Sequence, residues 1–105
     1  MVLFYSAVVA LTKQVVTADA SNLYGFEVQN NNNADVVYLQ FYTGADVLVT
    51  SFKVPAGANY GKDAQSFPMA FSPNGFKVSV TSDRAGTIAP ATPATVNVWQ
   101  WDKGN

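Results

Sequence analysis

Apolar and polar residues alternate in short runs along this chain, and clusters of Gly, Pro and Asn separate the runs. A two-residue period puts successive side chains on opposite faces of an extended strand. No run of about eleven residues carries apolar side chains at helical spacing with caps, so the pattern predicts an all-β chain. Phe76-Lys77-Val78-Ser79-Val80-Thr81 reads as a half-buried strand with Phe76, Val78 and Val80 inward. The final strand covers 94–101, with Ala94, Val96 and Val98 on one face and Thr95, Asn97, Trp99 and Trp101 on the other.

The segment NLYGFEVQN-NNNAD-VVYLQFYTG reads as a hairpin. Its first arm puts Tyr24, Phe26 and Val28 on one face and Leu23, Gly25, Glu27 and Gln29 on the other. Asn30 to Asn33 supply the connection, since Asn tolerates positive φ and makes local side-chain turns; a sugar- or ion-contacting loop is the alternative use of four Asn. Val54-Pro55-Ala56-Gly57 and Ser72-Pro73-Asn74-Gly75 both fit a type I turn. Between them Phe67, Met69 and Phe71 alternate, and Glu27 and Lys77 are candidates for a cross-strand ion pair.

About seven or eight antiparallel strands at ten-residue spacing predict a β-sandwich. The long connection SDRAGTIAPATP at 82–93 favours a Greek-key or jelly-roll-like crossover over a meander. One domain spanning 1–105 accounts for the length. Residues 2–11, VLFYSAVVAL, have the length of a signal-peptide apolar region but no Lys or Arg before it, and their β-branched content suits a first strand or an N-terminal arm. The run is too short to span a membrane, which takes about 20 residues.

Composition narrows the function. Only 12% of residues are charged and the net charge is −1, against about 25% charged in an average domain. The six basic residues are scattered, whereas nucleic-acid binding needs a clustered basic footprint. With neither His nor Cys, the chain has no Ser–His–Asp or Cys–His machinery and no disulfide. Of the acids Asp19, Glu27, Asp35, Asp46, Asp63, Asp83 and Asp102, all but Glu27 fall in predicted turns or chain ends, where Asp is common for backbone reasons. A calcium site from Asp35, Asp46 or Asp83 lacks any D-x-D-type run. These features predict no enzyme, no cofactor and no resident metal.

The aromatic residues are the more informative group. Trp99 and Trp101 share a face with Thr95 and Asn97, the less buried side of the last strand. Two indoles buried at a contact would contribute on the order of 7–12 kcal/mol before entropy costs, and Trp is enriched at interface hot spots. An interface is therefore preferred to a covered second sheet face, and both to a ligand platform of Trp99, Trp101, Tyr38 and Tyr42.

LYGFEVQNNNNADVVYLQFY, SFKVPAGANY and GFKVSVTSDRAGTIAPATPATVNVW together resemble a group of small structural proteins of tailed bacteriophages, over roughly residues 22–99. The resemblance implies a virion component on the capsid exterior: a cement or decoration protein, with the major capsid protein as partner and a homo-oligomer, a trimer by preference, as its form. A tail or baseplate component and a carbohydrate-binding module are the alternatives. The contact residues expected on this reading are Trp99, Trp101, Leu3, Phe4 and Tyr5. Neither nucleic acid nor membrane is an expected partner.

Overall fold

The computed structural model describes residues 2–31, 33–63 and 70–102, with the backbone alone for 2, 3, 63, 101 and 102. The expected all-β architecture is present, as nine strands among the described residues. They are β1 (Val2–Val9), β2 (Gln14–Thr17), β3 (Ser21–Gln29), β4 (Val37–Thr43), β5 (Leu48–Val54), β6 (Asn59–Asp63), β7 (Ala70–Ser72), β8 (Phe76–Thr81) and β9 (Ala94–Asp102). Sheet A has the order β1-β9-β3-β6, with β7 also on β3, and sheet B the order β2-β8-β4-β5.

β6 pairs with Gly25 to Gln29 of β3 and β7 with Ser21 to Leu23 on the same edge, end to end. Taken as one interrupted edge strand, β6 and β7 leave an eight-stranded sandwich, so the expected strand number differs by that one break. The Phe67–Met69 part of the expected alternation lies outside the described residues. The order is that of a jelly roll, in which the chain passes from sheet to sheet at nearly every connection. Among the described strands only β4 and β5 form a sequential hairpin.

That topology corrects the hairpin expected over 22–44. β3 lies in sheet A and β4 in sheet B, so the Asn run is a corner between sheets and not a hairpin tip. Two of its members are internal. Asn33 Nδ2 donates to Asn30 Oδ1 and to the Thr92 carbonyl, both at 2.7 Å, and Asn33 Oδ1 accepts from the Thr92 N–H at 2.9 Å. Asn30 Nδ2 donates to the carbonyls of Pro55 at 2.8 Å and Asp35 at 3.3 Å. These amides join the 30–36, 55–58 and 82–93 connections, satisfying backbone groups that no ladder reaches.

The two Pro-Gly turns expected at 54–57 and 72–75 also join sheets rather than adjacent strands. Gly57 and Gly75 close them at φ of 65° and 80°, where a Cβ is strained. At Gly75 a Cβ would also lie 2.0 Å from the Thr17 carbonyl oxygen, so two chain segments can meet there only over a glycine.

The core lies between the sheets: Leu23, Phe26 and Val28 from β3, Val37, Leu39 and Phe41 from β4, Phe76, Val78 and Val80 from β8, and Ala94, Val96 and Val98 from β9. Burying each of the larger side chains contributes about 1.5–3 kcal/mol before chain entropy. Phe26, Phe41 and Phe52 form an aromatic cluster, with Phe26–Phe52 centroids 4.5 Å apart and Phe26–Phe41 5.4 Å. The face assignment of β3 needs one correction. Leu23 pairs with Gln100 but Gly25 with Trp99, so Tyr24 is an extra residue in a β-bulge. The bulge returns Leu23 to the core face of Phe26 and Val28, whereas strict alternation puts it with Glu27.

Candidate interaction surface

The two outer faces of the sandwich are finished differently. On sheet B, β4 and β8 turn Tyr38, Gln40, Tyr42, Ser79 and Thr81 outward, yet Gln40, Ser79 and Thr81 are buried. The 82–93 connection folds back over them. Gln40 Nε2 donates to the Arg84 carbonyl at 3.1 Å, and Thr81 Oγ1 donates to the Asp83 carbonyl at 2.7 Å. The Arg84 guanidinium sits 5.2 Å from the centre of the Tyr38 ring and Lys13 Nζ 4.2 Å from that of Tyr42. Asp83 organises the connection: its carboxylate accepts from the Thr87 hydroxyl at 2.5 Å and from the Thr87 and Ile88 N–H groups at 2.9 Å. The Thr87 hydroxyl bond is the main reason that its carboxyl lies below the usual range.

Sheet A has no such cover among the described residues. Its outer face carries Phe4, Ser6 and Val8 from β1, Thr95, Asn97 and Trp99 from β9, and Glu27 and Gln29 from β3. Phe4 lies opposite Trp99 in the β1–β9 register, and their rings stack at 5.3 Å with a 53° tilt. Phe4 is nevertheless 58% exposed, Trp99 38%, Val8 64%, and Phe71 on β7 50%. On its other flank Trp99 lies opposite Gly25, which has no side chain to set against the indole. Beside this apolar end runs a polar strip in which Asn97 and Gln29 both donate to Glu27 Oε1 at 3.3 Å.

The expected contact residues are thus distributed as follows. Phe4 and Trp99 meet on the outer face of sheet A. Tyr5 turns the other way, packs against the core and has its phenol pKa pushed up by burial. For Leu3 and Trp101 only the strand register is described: Leu3 opposite Gln100, and Trp101 between Val2 and Asn22; their side chains lie outside the described residues. Val8 and Phe71 were not expected. Alternation alone exposes Val8, but nothing local marks β1 as lying beside β9.

A four-aromatic ligand platform does not form, because Tyr38 and Tyr42 belong to sheet B and Trp99 to sheet A. The Glu27–Lys77 pair is corrected for the same reason. Lys77 Nζ instead meets Asp46 Oδ1 at 2.9 Å, with Lys13 at 3.6 Å, and the Lys77 hydrogen bond leads in lowering the Asp46 carboxyl below its ordinary value. Asp46 and Asp83 therefore have separate partners, and among the described residues no three His, Cys, Asp or Glu side chains cluster as metal ligands. No described helix is long and apolar enough to cross a membrane.

No family model and no curated protein matches the chain. A solved structure described as "Bacillus endospore appendages form a novel family of disulfide-linked pili" is similar at 15% identity and a TM-score of 0.48, covering 97% of this chain and 85% of that chain. This finding corrects the expectation of a phage capsid cement protein: the similar structure is described as an appendage protein and not as a capsid decoration protein.

Proposed function

We propose that this chain is a non-catalytic structural subunit that works by associating with further copies of itself through the β1–β9 side of sheet A. One observation carries the reading: a twelve-residue connection, 82–93, covers sheet B, while among the described residues nothing covers the Phe4–Trp99 face of sheet A. An exposed aromatic pair is a frequent mark of a contact site. The exposed parts of Phe4 and Trp99 amount to on the order of 200 Å², or about 5 kcal/mol before entropy costs. That is below the figure expected for two free indoles, because Phe4 already covers part of Trp99.

Two features favour a second copy as the occupant. With a net charge of −1, identical copies repel each other little. The patch is also continuous with an open sheet edge, because Phe4 and Val8 belong to the terminal strand of sheet A. Sedimentation equilibrium over a wide concentration range tests the reading. The wild-type chain is expected to self-associate, and Phe4→Ser with Trp99→Ser to weaken the dissociation constant at least tenfold, a loss of about 1.4 kcal/mol or more. A wild-type chain that stays monomeric at high concentration refutes it.

A further inference from the structure

The sandwich has four sheet edges, and three of them are guarded. β2 has four residues, a bulge at Val16 and Lys13 just before it. β5 has the exposed Lys53 and a bulge at Val49. The remaining edge of sheet A is split into β6 and β7 and carries Lys62 and Asp63. Bulges, charges, short length and interruption are the usual devices that stop an edge from pairing with another chain. β1 has none of them. It runs eight residues, VLFYSAVV, with no charged residue or Pro, and pairs with β9 from Val2 to Val9 without a register break. Its outer row of N–H and C=O groups has no strand beside it among the described residues.

Resting on the self-association reading above, we propose that two copies join edge to edge through β1, antiparallel, about a two-fold axis through Ser6. A two-fold axis normal to the sheet keeps both bare faces on one side and lets only residues of like facing lie opposite each other. Centring the axis on Ser6 puts Phe4 opposite Val8 of the second copy, Tyr5 opposite Ala7 and Leu3 opposite Val9. Each larger side chain of the described pairs then meets a smaller one, and each Phe4–Trp99 stack continues across the seam onto Val8 of the other copy. Centring on Tyr5 would set two phenols against each other over the half-buried face and Phe4 against Ser6. Sheet A becomes a single sheet running through both copies, and neither copy keeps an unguarded edge.

The geometry offers a direct test, because the chain has no Cys and Ser6 is exposed on the outer face. Directly opposed antiparallel residues have Cα atoms about 4.5–5.5 Å apart, within the roughly 4.4–6.8 Å that a disulfide spans. Ser6→Cys should therefore form a disulfide-linked dimer under mild oxidation at least tenfold faster than Val8→Cys. The two position-8 residues would lie about 13 Å apart, four residues along the strand. Ser6→Lys should give a folded monomer. Equal crosslinking of the two Cys variants, or faster crosslinking of Tyr5→Cys, overturns the Ser6-centred pairing. If the wild-type chain associates while Ser6→Cys does not crosslink, the edge proposal fails and the self-association reading stands. A pure chain that is monomeric throughout, as it would be if β1 served a strand of a different protein, overturns both.

Discussion

At the scale of single residues, Asn33 is a polar side chain that ties two connections together. Its amide donates to Asn30 Oδ1 and the Thr92 carbonyl and accepts from the Thr92 N–H, so its orientation is fixed by its partners. Truncation would leave several groups unsatisfied in a site that is 4% exposed, each costing about 1–3 kcal/mol. Asn33→Ala is expected to destabilise the fold by about 2–4 kcal/mol. The measurement is urea denaturation, in which the midpoint should fall while the slope stays constant. Asn31→Ala, at an exposed position of the same run, should change stability by less than about 0.5 kcal/mol. This contrast was not legible in the sequence. Four consecutive Asn read as solvated turn residues, and only the crossing between sheets brings Thr92, Pro55 and Ala58 around two of them.

Elements show the same division between what is local and what is not. The faces of β8 and β9 follow from alternation, as Val78 and Val80 inward and Trp99 outward demonstrate, because a strand's period is a property of its own residues. Sheet membership is not such a property. The 22–44 segment shows two strands and a turn, but which sheet receives β4 depends on β8 and on β5, far along the chain. Likewise the 82–93 connection reads as a loop, while its role as the cover of sheet B rests on Gln40 and Thr81 meeting it across the fold. That cover depends on Asp83. Because its folded carboxyl lies below the ordinary value, its contribution is present above the unfolded value and is lost as pH falls through the folded one. Hydrogen exchange should show the Thr87 and Ile88 amides protected at neutral pH and released in acid below the usual carboxylate range. Asp83→Ala should release them at every pH, while the β9 amides stay protected. Undiminished protection of both amides in Asp83→Ala would mean that the connection holds itself down without its carboxylate.

For the whole molecule, the distribution of charge decides how association responds to solvent. Among the described side chains few charges lie near the proposed contact: β1 has none, and Glu27 lies two strands away with Asn97 and Gln29 bonded to it. Long-range repulsion is also small at a net charge of −1. Salt screens only what charges contribute, with a Debye length of about 10 Å at 0.1 M and roughly 3 Å at 1 M. Association through β1 and the Phe4–Trp99 face is therefore expected to change its dissociation constant less than about threefold between roughly 0.05 and 0.5 M NaCl. Burial of apolar surface should instead give a negative heat-capacity change of association, visible by dilution calorimetry at several temperatures. A contact made through the Lys13–Asp46–Lys77 cluster on the other sheet would behave in the opposite way, since its ion pairs lie partly in solvent and weaken as salt rises. A steep loss of association with salt would therefore move the interface from sheet A to that cluster. Flat salt dependence together with a negative heat-capacity change would keep it where the bare aromatic pair and the unguarded strand coincide.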